Sequence, residues 1–403
     1  MDCLNELAND EATTNPTVHL NAQISSPKSH NSKVWVLLGP NAGDNAQIIH
    51  LASTLKTGYL TIALHYNWLY PLPAIVKGNS LSSIKLHSRS AIQDAAKSGW
   101  PQVVIACGPR SVPILRWLKS ASAGRTKVII CGRPRAPLHW FDLVITTPQY
   151  RLPQRSNVLS LPLPMARFKT TQLQQALMPW REHFAFQKQN IVGVLLGGNT
   201  WPYRYDTQHA HRIGRYLQNT PGYFLITSSR RTPEFVLKII QSYVQDRCWV
   251  YDWRQSKSVQ FSPRANPYRA ILAASQRLLV TGDSAMMMAE ANASAKPFAY
   301  FPLPKPHWFS YLLPATWALR WQRNAVSKRN GFLVRHINNA LAHLIEWGMI
   351  TPQRDFEALH ELINQQGLSQ CIEFNHRTRI NDSIVVHNDL ITAAHGAVLR
   401  FLQ

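Results

Sequence analysis

The sequence predicts an α/β fold of two Rossmann-like domains that face a shared cleft, each with a parallel sheet. Its 403 residues exceed what one hydrophobic core ordinarily supports. Short β-branched runs alternate with amphipathic segments, which is typical of βα units that feed a parallel sheet. This alternation occurs in two series, one from Lys33 and one from Ile191, separated by a Gln-rich stretch without a strand period.

The two series predict the division of the chain into domains. A tail at 1–31 precedes an N-terminal domain at 32–165, a connection at 166–189, a C-terminal domain at 190–330 and a mainly helical region at 331–403. The predicted N-terminal strands are Val34–Leu38, Leu60–Leu64, Val103–Ala106, Lys127–Ile130 and Leu143–Thr146. The predicted helices between them are Asp44–Leu55, Arg89–Ala96 with Ser88 as its N-cap, and Val112–Lys119. The C-terminal strands are predicted at IVGVLLGG, YFLIT, CWVYD, RLLVT and PFAYF.

The charge balance indicates a polyanionic partner or substrate. Lys and Arg total 43 against 21 Asp and Glu, a formal net charge of +22. Such a surface attracts nucleic acid, anionic membrane or phosphorylated substrates. The five cysteines include no C-x-x-C pair, so we expect a reducing compartment, no disulfide framework and no zinc site.

Two segments bear on targeting. Residues 1–31 are polar and lack an apolar core and arginine, so we expect a disordered tail rather than a secretory signal or mitochondrial presequence. The apolar stretch Ala299–Leu319 contains Lys305, His307 and four prolines, so no transmembrane segment is expected.

A strand–turn–helix segment at 278–301 is the strongest candidate site. Its Gly-Asp-Ser turn directs free N–H groups and the positive end of a helix dipole above the sheet. Ser284, next to Asp283, could bind a phosphate oxygen, and Glu290 could reach a ribose hydroxyl pair. The alternative is equally open: Ser284 is an N-cap, and the methionines, including Met287, fill a core face.

Two further turns follow strands of the same predicted sheet. Gly197 and Gly198 allow a ligand to approach the backbone, although a tight turn is the simpler interpretation. The other turn offers hydroxyl and guanidinium groups suited to phosphate, or else a solvated cap: Ser228, Ser229, Arg230 and Arg231. Because ligands bind at the carboxyl ends of the strands in such sheets, all three turns are predicted to converge on one site.

The N-terminal domain offers turns for the opposite wall at 37–47 and 105–113. Neither carries a Walker or G-x-G-x-x-G motif, so ATPase and dehydrogenase activities are not supported. Asp44 is the candidate general base, although an acid that complements the helix dipole is the more common role there. The histidines lack metal-site spacing, so no metal is assigned.

The basic, Trp-rich stretch 305–329 allows two interpretations. It could stack on single-stranded nucleic acid, but it contains no RNA-recognition or helix-turn-helix signature. Docking on an anionic membrane explains the same composition.

Several motifs together resemble one known family. They are IACGPRSVP, Pro134-Arg135, FDLVITTPQY, GGNTWPYR, TSSRRTP, Asn266-Pro267-Tyr268 and TGDSAMMMAEANASAKP, in family order over roughly 33–301. The chain thereby resembles the family that joins the plant elongated-mitochondria fission factor to bacterial glycosyltransferases of the lipooligosaccharide outer core. The resemblance implies a GT-B-like fold, with a donor nucleotide sugar in the C-terminal domain and the acceptor in the N-terminal one. It places Ser284, Met287 and Glu290 at phosphate and ribose.

The resemblance also implies the function that we expect. The acceptor-side residues are Gly43, Gln47, Gly108, Arg110 and Arg135. We expect a metal-independent glycosyltransferase that uses a nucleotide sugar as co-substrate and no other cofactor, acting on a membrane-associated glycan or lipid in lipopolysaccharide biosynthesis. It is expected in the cytoplasm, peripheral on the anionic inner membrane. The alternatives are a non-catalytic adaptor like the plant fission factor and, third, a nucleic-acid-binding protein. The sequence leaves the oligomeric state open.

Overall fold

The computed structural model describes residues 32–184, 190–254, 266–304, 343–345, 347, 349, 353–374 and 389–402. The predicted tail at 1–31 and the Trp-rich stretch at 305–329 lie outside these residues. Within them the chain forms two six-stranded parallel sheets with helices on their faces. The predicted α/β class with two Rossmann-like domains is confirmed.

The N-terminal sheet has the strand order β2-β1-β3-β4-β5-β6. Its strands are β1 Val34–Leu38, β2 Tyr59–Ala63, β3 Val103–Cys107, β4 Lys127–Cys131, β5 Leu143–Thr146 and β6 Val158–Ser160. Its helices are α1 Ala42–Thr54, α2 Ala74–Lys77, α3 Leu86–Lys97 and α4 Val112–Ala121. The four central strands, β1, β3, β4 and β5, are almost wholly buried, which explains their continuous apolar runs. The predicted strands all form. Strand β6 was not predicted, because its three residues are too few to show a strand periodicity.

The C-terminal sheet has the order β12-β11-β10-β7-β8-β9. Its strands are β7 Ile191–Leu196, β8 Tyr223–Ser228, β9 Cys248–Tyr251, β10 Arg277–Thr281, β11 Phe298–Phe301 and β12 Gln370–Cys371. Its helices are α7 Thr207–Gln218, α8 Glu234–Val244, α9 Tyr268–Ala274 and α10 Ala285–Ala293. The order reverses between β7 and β10, so the crevice expected at a topological switch point lies above these two strands.

The connecting segment packs on the C-terminal domain. It forms α5 Thr170–Leu177 and α6 Arg181–Phe184, with Leu173, Trp180 and Phe184 buried in that domain's core. The burial of these apolar side chains therefore fixes the position of the connecting segment on the C-terminal domain.

Two helices near the C-terminus join different cores. Helix α11, Phe356–Gln365, adds Phe356 and Leu359 to the C-terminal core. Helix α12, Asp389–Leu399, returns to the N-terminal domain, where Ile391 and Val398 pack with the strands of its sheet. The chain thus crosses back between the domains, and each domain depends on residues distant in sequence.

The prediction that Ser88 caps its helix is wrong. Helix α3 begins at Leu86, and Ser88 lies inside it, buried. The Ser88 hydroxyl donates to Ala63 O at 3.1 Å and accepts from the His65 N–H at 3.0 Å. The hydroxyl therefore ties α3 to the end of β2 instead of capping the helix.

Candidate functional site

A cavity of about 170 Å³ lies between the two domains, and we call it the cleft cavity. The N-terminal domain contributes the start of α1 and the turn after β5, and the C-terminal domain contributes the start of α10. The predicted site residues that line it are Asp44, Gln47, Arg231, Asp283 and Ser284. Residues from both domains therefore meet here.

The Gly-Asp-Ser turn is built at the switch point of the C-terminal sheet. The Gly198 N–H donates to Asp283 Oδ2 at 2.7 Å, and the Gly197 N–H donates to Thr281 Oγ1 at 2.7 Å. A Cβ on Gly197 would overlap the Asp283 carboxylate, and one on Gly198 would overlap the backbone of Arg231. Both glycines are thus required so that two strand-end turns can touch. They hold the site from behind rather than facing the cavity.

Burial changes the acidity of Asp283. The side chain is 1% exposed, and burial raises its pKa to about 6, against the opposing effect of its hydrogen bonds. The carboxyl group is therefore partly protonated near neutral pH. This protonation lowers the negative charge close to the positive end of α10.

Ser284 is the N-cap of α10. Its Oγ accepts from the Met287 N–H at 3.4 Å, a long hydrogen bond, while the side chain also lines the cleft cavity. The N–H groups of Ala285 and Met286 lie in the first helical turn, where no intrahelical acceptor exists. The capping and ligand-facing interpretations therefore coexist at this residue.

The opposite wall is the N-terminus of α1. Asp44 is partly exposed and accepts from Asn41 Nδ2 at 2.9 Å. Gln47 is buried, and its Nε2 donates to Cys107 Sγ at 3.2 Å. A Cβ on Gly43 would lie 3.4 Å from Met286 Cγ, so α1 and α10 approach closely with their N-termini.

The strand-end pocket is a second cavity, of about 220 Å³, on the other side of the first turn of α10. It contains the predicted Ser228, Ser229, Arg230 and Met287, together with Tyr251, Trp253, Asn266 and Tyr268. The predicted donor residues are therefore divided between two adjoining cavities instead of one.

Polar contacts order the wall of the strand-end pocket. Ser228 Oγ donates to Asp252 Oδ1 at 3.1 Å and accepts from the Trp253 N–H at 2.9 Å. The Arg230 guanidinium lies 6.0 Å from the Trp253 ring centre and is exposed. Arg231 points to the cleft cavity instead and donates to Thr200 Oγ1. The paired arginines thus serve different cavities.

Glu290 lies behind the strand-end pocket. It accepts from the Tyr268 hydroxyl at 2.7 Å, and burial raises the pKa of its carboxyl group. The contact fixes the Tyr268 ring in the pocket wall. A ribose contact of Glu290 stays a prediction.

Four acceptor-side candidates do not line either cavity: Gly43, described above, and the three residues Gly108, Arg110 and Arg135. Arg110 is exposed and lies 4.5 Å from the Tyr70 ring centre. Gly108 has φ +78° and donates its N–H to Cys131 O at 3.0 Å, a role in the turn after β3. Arg135 has φ +50° and is exposed. Their proposed roles toward an acceptor stay predictions.

Several lining residues were not predicted. Thr146, the last residue of β5, and Gln149 and Tyr150 just after that strand line the cleft cavity, where the rule that ligands bind at strand ends could have found them. Arg354 also lines it but comes from the segment before α11, and nothing in its sequence neighbourhood indicates this.

A buried histidine supports the Gly-Asp-Ser turn. The His360 ring bonds through Nε2 to Gly282 O at 2.8 Å and stacks on Tyr300 at 4.3 Å between ring centres. Burial lowers its pKa to about 4. Helix α11 therefore holds the turn with an uncharged side chain.

The family is decided by a match over 42–310, described as mitochondrial fission ELM1. The chain belongs to this family. The ELM1-family match covers both walls of the cleft cavity except Arg354. The resemblance predicted from the motifs is confirmed.

Two relatives of this ELM1-family chain are similar along much of its length. The Rickettsia prowazekii protein named Uncharacterized protein RP120 is 25% identical over 307 residues, which are 67% of this chain and 83% of that protein. Mitochondrial fission protein ELM1 of Arabidopsis thaliana is 28% identical over 235 residues, 51% of this chain and 52% of that protein. The chain thus matches about half of the plant protein.

A solved glycosyltransferase from Rickettsia africae ESF-5 is similar over 93% of this chain and 99% of its own. Its identity is 10% and its TM-score 0.46. In the described part of the ELM1-family chain, no helix has the length and apolarity needed to cross a membrane.

Proposed function

We propose that this protein is a GT-B-type glycosyltransferase that moves a sugar from a nucleotide sugar to a glycan or lipid acceptor. The observation that carries the proposal is that two cavities adjoin across the first turn of α10, one between the two domains and one lined by aromatic side chains. A nucleotide sugar has this shape: a flat base at one end, a sugar at the other and a diphosphate between them.

The residues that line each cavity support this position of the donor. The strand-end pocket offers Trp253 and Tyr268 rings for the base and the Arg230 guanidinium for a phosphate. The first turn of α10, with Ser284, offers N–H groups and the positive end of the helix dipole to the diphosphate. The sugar then lies in the cleft cavity, next to the acceptor.

The reaction follows from the residues on the two walls. Asp44 takes the proton of the acceptor hydroxyl, whose oxygen bonds to the anomeric carbon while the bond from that carbon to the diphosphate oxygen breaks. Arg231 and the helix N-terminus stabilise the negative charge on the departing diphosphate. These groups supply the charge stabilisation, so we propose that no metal or additional cofactor is needed.

An exposed apolar segment supports docking on a membrane. Residues 68–86 include Trp68, Val76 and Leu86, with 81%, 67% and 75% exposure. Between Asp44 and Asp94 the sequence contains no acidic residue, and Lys85 is exposed in the same segment. Aromatic and apolar side chains beside cations suit an anionic bilayer surface, as proposed for the cytoplasmic face of the inner membrane.

A second candidate is an adaptor without turnover. The family match and the plant relative favour it, because that relative is named for mitochondrial fission. Under this alternative the segment 68–86 binds a protein partner, and the strand-end pocket has no nucleotide to hold.

Calorimetry with a panel of nucleotide sugars separates the two candidates. The enzyme proposal predicts that at least one uridine, guanosine, adenosine or cytidine diphosphate sugar binds, and that Arg230→Ala weakens it about 10-fold or more through the lost charge-assisted contact. Arg215→Ala, on the exposed face of α7, is the matched control. If no member of the panel binds to the wild type, the adaptor candidate replaces the enzyme.

A further inference from the structure

The cleft cavity is lined by three side chains with buried polar atoms that lack a hydrogen-bond partner within the described chain. These atoms are Thr146 Oγ1, Gln149 Oε1 and Asp283 Oδ1, on side chains that are 4%, 3% and 1% exposed. Each unsatisfied buried atom costs about 1–3 kcal/mol. The cavity has several times the volume of one water, about 30 Å³, so a polar molecule larger than water fits beside these three side chains.

The chemistry of these atoms selects a ligand rich in hydroxyl groups. Gln149 bonds through its side chain to Tyr150, which leaves its Oε1 as an acceptor. The Thr146 hydroxyl both donates and accepts. Both residues lie at the carboxyl end of β5 on the N-terminal wall, opposite the proposed donor, so this wall is the proposed position of an acceptor substrate.

The guanidinium group of Arg354, from the C-terminal part of the chain, lies at the same wall. Arg354 lines the cavity, and its guanidinium lies 5.8 Å from the Tyr150 ring centre. The next residue fixes this position: the Asp355 N–H donates to Gln149 O at 2.9 Å, and Arg151 donates to the Asp355 carboxylate through Nε and a terminal nitrogen. The charge of Asp355 is taken up by Arg151, so it does not neutralise Arg354.

The charge of Arg354 also acts on the guanidinium group of Arg135. Arg135 is exposed, and partial burial, and next the charge of Arg354, lower the pKa of its guanidinium. A bound anion beside Arg354 would lower the repulsion between these two cations.

We propose that the N-terminal wall binds an acidic sugar as the acceptor: a hydroxyl-bearing ring with a phosphate or carboxylate substituent. Thr146 and Gln149 bind hydroxyl groups of the ring, and Arg354, which lines the same cavity, binds the anion. This assignment rests on the proposed function, because it names the acceptor class of that transferase.

Calorimetry on the full chain tests the assignment with glucose 6-phosphate, galacturonate, glucose, inorganic phosphate and glycerol 3-phosphate. We expect glucose 6-phosphate or galacturonate to bind at least about 10-fold more tightly than glucose or phosphate alone, because each combines both contacts. Arg354→Gln should weaken that binding about 10-fold or more, and Arg354→Lys should restore part of it. Arg215→Gln is the matched control, and thermal melting shows that each variant is folded.

Each other outcome has a defined meaning. Equal affinity for phosphate and the acidic sugars, or no effect of Arg354→Gln, overturns the assignment, and tighter binding of glycerol 3-phosphate replaces the sugar with a lipid headgroup. If a nucleotide sugar binds while no acidic sugar does, only the acceptor class fails. If no nucleotide sugar binds, the proposed function itself fails.

Discussion

At the scale of single residues, environment decides what each candidate can do. Asp44 and Asp283 are both carboxylates at helix N-termini that line the cleft cavity. The Asp44 carboxylate is partly exposed and accepts a hydrogen bond from Asn41. The Asp283 carboxyl group is buried and accepts a hydrogen bond from the Gly198 N–H, and burial raises its pKa to about 6. Because the Asp44 carboxylate is the accessible one of the two, we propose that it acts on the acceptor and that Asp283 has a structural role.

The assignment predicts a specific defect for Asp44→Asn. Loss of the base should lower kcat about 10²- to 10⁴-fold, while donor affinity stays within about twofold. Release of nucleoside diphosphate from the donor identified by the binding panel measures the rate, and calorimetry measures the affinity. Asp94→Asn, which removes an exposed carboxylate of α3, is the control. A fully active Asp44→Asn variant would remove Asp44 from the mechanism.

Two buried groups predict opposite effects of pH on stability. The pKa of His360 falls from 6.5 to about 4 on folding. The stability that the neutral ring contributes is therefore fully present above pH 6.5 and is lost as pH falls toward 4. The pKa of Asp283 rises from 3.8 to about 6. The stability that the protonated carboxyl group contributes is therefore fully present below pH 3.8 and is lost as pH rises through 6. Asp283→Asn should therefore expose the His360 effect: between pH 6.5 and 4.5 its free energy of unfolding should fall about 1–3 kcal/mol more than that of the wild type. Urea unfolding across this range is the measurement, and parallel pH profiles would contradict the assignment of Asp283.

At the scale of elements, the sequence predicts strand ends well and their mutual contacts poorly. The three polar turns were found because apolar strands stop at glycine, serine or arginine. Their division between two cavities could not be predicted, because it depends on Gly198 meeting Arg231 and on the direction of each side chain. The position of Arg354 could not be predicted for the same reason, because it follows from the pairing of Asp355 with Arg151, 204 residues apart.

The contact between the two turns predicts a strong effect of one methyl group. Gly198→Ala places a Cβ against the Arg231 backbone, which cannot move without displacing the turn. We expect a loss of about 1–3 kcal/mol in the free energy of unfolding and weaker donor binding. Gly39→Ala is the matched control because a Cβ there has no neighbour within 4 Å. Urea denaturation compares the pair, and equal stability would contradict the close approach.

At the scale of the whole molecule, the two cores are joined by the returning chain. The alternating pattern predicted both sheets, since each strand's apolar run is local. The crossing of α12 to the N-terminal core was not predicted, because an amphipathic helix does not specify which core it covers. The N-terminal wall of the cleft cavity therefore depends on a helix that is distant in sequence from the strands of its own sheet.

This dependence predicts the effect of Ile391→Ala in α12. Ile391 is buried in the N-terminal core, so the cavity left should cost about 2–5 kcal/mol of that domain's stability. Thr392→Ala, on the exposed side of the same helix, should have little effect. Hydrogen exchange resolved to the strands of each sheet is the measurement. Destabilisation confined to the C-terminal sheet would show that α12 does not support the N-terminal core.

The central claim is that a nucleotide sugar lies across the first turn of α10, with its nucleoside in the strand-end pocket. Calorimetry of the best-binding nucleotide sugar against Met287→Glu and Met178→Glu tests it most directly. Met287 lines that pocket, and Met178 is 64% exposed and outside both cavities. We predict at least about a 100-fold loss of affinity for Met287→Glu, because the new carboxylate fills the pocket and repels the diphosphate, and no change for Met178→Glu. Unchanged affinity in a folded Met287→Glu variant would contradict the account.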